Sequence, residues 1–297
     1  MHGPNAVQSA KADPRATMFG YLDEAITVQP PRTDALQRGL DAGHNPHDAA
    51  ATWLDDGIGA IMTHLEKLGL AENTMIVYFN DHGTDVGKGS CYEGGVRTPS
   101  MIYWPGRIKP AVTDALVQNT DFVPTILEAC GVPMAADMVC DGKSLWPILD
   151  GRKKAVRKYA FCEMGYTRAV ITPDWKFLAF RIPPSVVPSK EERRRIALKA
   201  QRWHLEREDR HVPAYPDAPL SHLAFPGGMG TERPVIKGFK STYYDPNQLY
   251  RLTPTVQEHN NLATNPEYAA VLADMKTKMS EAIEILPGNF GEFGEKE

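Results

Sequence analysis

The sequence predicts an α/β protein in which a sheet flanked by helices is followed by a small antiparallel sheet and a C-terminal helix. Three observations carry that expectation. A segment of helical period, Asp48 to Gly69, feeds a short β-branched and aromatic run, Thr74 to Phe79, which together make half of an α/β repeat. A second apolar run, Ser100 to Trp104, follows across a glycine-rich loop. From Lys158 to Phe180 the pattern changes to short strands with turn residues and no helix between them, which is the pattern of an antiparallel sheet.

The elements follow in chain order. Residues 1–47 are rich in Pro, Asp, Arg and Gly with weak periodicity and read as an irregular amino-terminal segment, with Phe19 to Val28 as a short ordered element. In the helix from Asp48, the positions Leu54, Ile58, Ile61, Met62, Leu65 and Leu68 should face inward, Asp48 can cap the start and Gly69 suits the stop. Thr120 or Asp121 can cap a helix through Cys130, with Phe122, Ile126 and Leu127 inward and Pro124 in its tolerant first turn. Ser144 to Leu149 reads as a short helical turn. Residues 48–152 thus form an α/β portion, and residues 153–297 a second subdomain. The latter holds the strands KYAFCEM, RAVIT and WKFLAF, a charged helical stretch from Lys190 to Arg210, an irregular excursion over 211–248 and a last strand, Leu249 to Leu252. Pro266 then opens a helix with the apolar stripe Tyr268, Val271, Leu272, Met275, Met279 and Ile283.

Composition excludes some functions. The chain has 297 residues, enough to bury a substantial core. Lys plus Arg number 33 against 37 Asp plus Glu, so the net charge of −4 lacks the basic surplus of a nucleic-acid-binding surface. No run of about 18 apolar residues occurs, so no membrane span is expected. The opening MHGPNAVQSAKADPR lacks the apolar stretch of a secretory leader, and both cytoplasmic and periplasmic locations stay open. The four cysteines have no metal-type spacing and read as free thiols.

The chemistry gathers behind the strand Thr74 to Phe79, which delivers Asn80, Asp81 and His82 into a loop, where ligands of open α/β sheets bind. Asp81 and His82 could ligate one metal ion; a carboxylate suits a hard cation and an imidazole a softer one, so the pair alone does not choose between them. Lys88, further along the loop, could meet an anionic group held there. The same residues also suit a turn cap and a packed histidine.

The order of residues around that loop resembles the sulfatase family of the alkaline phosphatase superfamily. FNDHG, GKGSCYEGGVRTP and MIYWPG are similar to the family's second signature and its flanking strands. WLDDGIGAIMTHLEKLGLAENT resembles the helix before it, and TDFVPTILEACGVP and DGKSLWPILDG resemble segments after it. YTRAVITPDWKFLAF and DPNQLYRLTPTVQEHNNLATNPE look like parts of the C-terminal subdomain. The likeness runs from about Trp53 to about Leu286, with 182–243 poorly matched, and implies part of an alkaline-phosphatase-like sheet.

The resemblance implies Asp81 and His82 as metal ligands, normally for calcium, with manganese or zinc as alternatives, and Lys88 as the cation contacting a sulfate. By the same resemblance His82 and Lys88 carry the catalytic roles, while Glu93, Arg97 and the glycines shape the loop. Arg168 matches a C-terminal position without an assigned role. His44, with His47, resembles a sulfate-contacting histidine upstream, and His222 lies in a region expected to set specificity. Asp55 and Asp56 sit in helical context rather than in the family's amino-terminal metal pair. The family nucleophile, a cysteine or serine in C/S-x-P/A-x-R, has no counterpart: the cysteines read CYEGG, CGVP, CDGKS and CEMG. Neither Thr84 nor Cys91 has a neighbour in sequence that would activate it. The chain therefore looks like the carboxyl-terminal part of a sulfatase. The implied activity is metal-dependent hydrolysis of an aryl or carbohydrate sulfate ester, through attack of a formylglycine hydrate in the complete family member. A phosphate or phosphonate ester hydrolase and a non-catalytic binding protein are the alternatives. An unpaired sheet edge further predicts a homo-oligomer.

Overall fold

The structure, a computed structural model, describes residues 6–17, 19–83, 90–181, 245–252, 258–287 and 290–293, with isolated positions between 189 and 202. The chain forms two compact units, Met1–Ile76 with Ile102–Ile108, and Val77–Met101 with Lys109–Glu297.

The first unit is helical. Helix α1 (Ala6–Lys11) is followed by a hairpin of two-residue strands, β1 (Ala16–Thr17) and β2 (Gly20–Tyr21), then by α2 (Arg32–Asp41) and α3 (Ala49–Lys67). The weak periodicity of residues 1–47 thus conceals two helices. In α2 only Ala35, Leu36 and Gly39 are buried, because small residues let it pack closely on α3. A Cβ on Gly39 would lie 3.1 Å from that of Ala49, so the bare glycine sets the approach. Arg38 ties the pair by binding Asp34 on its own helix and Asp56 on α3.

Entry into α3 differs from expectation. Asp48 occupies the cap position but is already helical in φ and ψ, and its side chain makes no capping bond. Asn45 does the turning: its Oδ1 accepts from the amides of His47 and Asp48. Gly69 stops the helix as expected, at φ +67°, a left-handed conformation that glycine adopts without strain. Of the expected inward stripe, Ile58, Met62 and Leu65 are half-buried, whereas Leu54, Ile61 and Leu68 are exposed.

Strands β3 (Ile76–Phe79) and β4 (Ser100–Tyr103) form a two-stranded sheet. In the second unit, α4 (Glu93–Val96) precedes β4, and α5 (Phe122–Ala129) and α6 (Trp146–Leu149) follow it. Helix α5 is entered through a tight turn, Asn119–Asp121, and buries Pro124, Thr125 and Ala129; Ile126, expected inward, is exposed. The buried Asp121 decides that orientation. Its carboxylate accepts from the amides of Gln118 and Lys143 and from both terminal nitrogens of the buried Arg157.

The antiparallel sheet is as expected, with strands β5 (Ala160–Met164), β6 (Thr167–Ile171), β7 (Trp175–Phe180) and β8 (Asn247–Arg251) in sequence order. Side chains alternate across it. The row Val170, Phe177 and Leu249 packs with Met275, Met279 and Ile283 of α7 (Ala269–Glu284), the helix whose stripe the sequence announced. Ala169, Leu178 and Tyr250 pack with Cys91 and Tyr92, just ahead of α4. That second face connects the sheet to the loop region. Among the described residues, no helix is long and apolar enough to cross a membrane.

Candidate functional site

Strand β3 ends at Phe79, and Tyr78 Oη donates to Asn80 Oδ1 at 2.9 Å, steadying the exit. The next two residues are the expected ligands. Asp81 Oδ1 accepts from the amide of His82 at 3.0 Å, which leaves Oδ2 3.4 Å from His82 Nε2. His82 Nδ1 lies 2.8 Å from Gly83 O. A carbonyl oxygen only accepts, so Nδ1 carries the proton and, in the neutral ring, Nε2 presents its lone pair toward Asp81.

Two donor atoms 3.4 Å apart leave room for one cation at about 2.1–2.5 Å from each, the range of nitrogen and oxygen ligands to divalent metals. The carboxylate is 84% exposed and the imidazole 42%, so an ion and its waters can reach them. Fit is therefore satisfied for these two ligands. Among the described residues, no group of three or more His, Cys, Asp or Glu side chains gathers to hold a metal.

Gly83 is the anchor of this loop. Its amide donates to Gly95 O at 2.8 Å, and a Cβ on it would fall 2.2 Å from Gly94 O. Only glycine permits that approach. Helix α4, which supplies both carbonyls, is held from below: Glu93 N donates to Glu258 Oε2 at 2.9 Å, and Glu93 Oε1 lies 2.6 Å from Lys176 Nζ. Burial pulls the Lys176 ammonium toward neutrality, but Glu258 and Glu93 outweigh it and hold its pKa above the ordinary lysine value. Beside them, Tyr92 Oη donates to Gln248 Oε1 at 2.6 Å and Tyr250 Oη to the same atom at 2.8 Å. Burial first, and Tyr250 next, push the Tyr92 phenol well above its usual range.

The remaining sequence candidates fall as follows. Lys88, Thr84 and His222 lie outside the described residues. His44 is exposed after α2 in the first unit, its amide donating to Gly39 O. Asp55 and Asp56 are on α3 as expected, with Asp56 paired to Arg38. Cys91 is buried, with its sulfur 4.0 Å from Thr167 O. A hydrogen bond from Cys91 lowers the pKa of Cys162 against the effect of burial. Arg168 braces its own hairpin, binding Glu163 and the carbonyls of Gly165 and Thr167, over the ring of Phe290. Sequence reasoning passed over Lys176, Glu258 and Gln248. The available signal was a lysine in the middle of the apolar strand WKFLAF, where a charge must be solvated or paired.

The family model for sulfatases matches residues 1–132, further upstream than the motif likeness reaches. Human arylsulfatase A is 34% identical over 139 residues, covering 42% of this chain and 27% of its own. Human steryl-sulfatase is 24% identical over 267 residues, covering 82% of this chain and 41% of its own. Residues 1–132 of the chain thus match the sulfatase family. Solved structures share its fold: one in complex with its substrate D-glucosamine-2-N,6-O-disulfate aligns with a TM-score of 0.54 at 22% identity, covering 80% of this chain and 40% of the other. A Bacteroides thetaiotaomicron sulfatase from a glycosaminoglycan-metabolism locus aligns at 0.57 and 20% identity, covering 88% and 48%. The chain matches less than half the length of the relatives and structures named.

Proposed function

We propose that this chain serves metal-dependent hydrolysis of sulfate esters of an aryl alcohol or a carbohydrate. Asp81 and His82 hold a divalent cation, and Lys88 meets the sulfate. The observation that carries this reading is the convergence of Asp81 Oδ2 and His82 Nε2 at the end of β3, within the residues the sulfatase model matches. Calcium is the ion implied by the family resemblance, and the imidazole nitrogen keeps manganese and zinc in contention. A cation bound there supplies Lewis-acid charge neutralisation at the sulfate oxygens. The chain's own part is to fix the donors: Gly83 O orients the ring of His82, and Asp81 brings the negative charge. The names of the relatives, aryl and steryl sulfatases, and the sugar disulfate in one related structure support the substrate class.

Parallel assays with nitrophenyl sulfate and nitrophenyl phosphate, with and without Ca2+, Mn2+ or Zn2+, test the proposal. Metal-dependent sulfate release that Asp81→Ala abolishes is expected. Phosphate turnover equal to or above it, lost in the same variant, assigns the chain to phosphate esters instead. A second reading, binding of a metal or sulfate without turnover, is favoured by the cysteine contexts, none of which has the family's nucleophile pattern. Sulfate or metal binding through Asp81 with no hydrolysis of either ester decides for it. We also propose a homo-oligomer, supported by Leu54, Ile61 and Leu68 exposed along one side of α3. A monodisperse monomer in light scattering would contradict this.

A further inference from the structure

Lys176 sits within β7, on the sheet face that carries Leu178 and Tyr250 and away from α7. Its side chain is fully buried, and so, nearly, is that of Glu258. Burying three charges is costly, and apolar side chains of similar volume would fill such a space as well or better, so packing alone does not account for them. What the charges add is direction. The ammonium is 2.6 Å from Glu93 Oε1 and 3.1 Å from Glu258 Oε1, and Glu258 turns its other oxygen to the Glu93 amide at 2.9 Å. Glu93 is gripped by side chain and backbone together.

Helix α4 has only four residues, two of them glycines, and such a segment does not hold a helical turn unaided. Cys91 and Tyr92, packed on the sheet, bring it there, and the grip on Glu93 holds the turn itself. From there a continuous path leads outward. Gly95 O accepts from Gly83 N at 2.8 Å, Gly94 O fills the volume a Cβ on Gly83 would need, and Gly83 O accepts from His82 Nδ1 at 2.8 Å. We propose that the buried Lys176–Glu93–Glu258 triad is a positioning device through which the antiparallel sheet orients the His82 ring. Lys176 and Glu258 touch neither Asp81 nor His82 in this path; they act through Glu93 and the backbone of Gly83. The consequence for metal affinity rests on the proposed metal reading, whereas the consequence for loop geometry does not.

The test uses Lys176→Met and Glu258→Gln in the full chain, with amide hydrogen exchange at Gly83 and Gly95 compared with amides of β6, and Mn2+ titration alongside. Exchange at Gly83 and Gly95 should accelerate about tenfold or more relative to β6, because the loop opens without the sheet. Mn2+ affinity should fall about 10- to 100-fold, the usual effect of removing outer-shell support. Should Lys176→Met not fold, Glu258→Gln reads the same ratio with its volume preserved. Gly83 exchange unchanged in a folded variant, or accelerated only in step with β6, overturns the proposal. Absence of binding of Mn2+, Ca2+ and Zn2+ alike to the unaltered protein sinks the metal reading instead, and the exchange ratio still decides the role of the triad.

Discussion

Replacing Asp121 with alanine should cost about 4–6 kcal/mol of stability. The side chain is fully buried and each carboxylate oxygen serves two donors: Oδ2 accepts from Gln118 N at 2.7 Å and Arg157 Nη1 at 2.5 Å, and Oδ1 from Lys143 N at 2.8 Å and Arg157 Nη2. Alanine strands a guanidinium that is only 4% exposed and that keeps Leu116 O, at 3.3 Å, as an acceptor. An abandoned buried charge costs about 3–5 kcal/mol. The two amides, which gain some water in the vacated space, add roughly 1 kcal/mol. At about 2–4 °C per kcal/mol for a chain of this size class, the melting temperature should drop by at least roughly 8 °C. Urea unfolding of Asp121→Ala, Arg157→Met and the double variant measures this directly. The double variant should lose about 2 kcal/mol or more less than the sum of the singles, because it removes both charges together. A loss below about 1 kcal/mol for Asp121→Ala, or strict additivity, would refute the reasoning.

Two glycines predict opposite signs. Gly83→Ala places a Cβ 2.2 Å from Gly94 O, so the loop must move by on the order of 1 Å and release the Gly95 contact, at roughly 1–3 kcal/mol; calorimetry should show metal affinity falling about tenfold or more. Gly59, within α3, has nothing within 4 Å of its missing Cβ, and Gly59→Ala should raise stability by about 0.8–1 kcal/mol in the same unfolding assay. At low pH the Arg181–Glu292 pair becomes the readout. Hydrogen bonds from Arg181 hold Glu292 down from 4.5 to about 2, so its stabilisation is fully present above 4.5 and disappears as pH falls through about 2. Because the carboxylate is half exposed, the pair is worth about 1 kcal/mol or less. The urea-midpoint difference between the unaltered protein and Glu292→Gln should be constant above pH 4.5 and shrink toward zero below it.

Period and composition announced the antiparallel strands and α7, because each buries one whole face against a partner within the same unit. The apolar stripe of α3 was equally plain in sequence, yet Leu54, Ile61 and Leu68 are exposed, since periodicity states which side is apolar and not what covers it. Helix α2 was hidden because its contact is made by Ala35 and Gly39, whose smallness carries little hydrophobic signal. Ile126 pointed inward by period, but the Asp121 network sets the rotation of α5, and such a network joins residues 22 and 36 positions apart. At the site, the adjacent Asp81 and His82 were legible as a pair. The support beneath them was not, because Glu93, Lys176 and Glu258 meet only in space, across sequence separations as large as 165 residues.

Calorimetric titration of Ca2+, Mn2+ and Zn2+ into the unaltered chain, Asp81→Ala and His82→Ala tests the proposed metal site most directly. A site in the unaltered protein that both substitutions abolish, for at least one of the three ions, is the predicted result. Binding of equal affinity in all three proteins, or no binding of any ion to the unaltered chain, would contradict the assignment of Asp81 and His82 as a metal-holding pair.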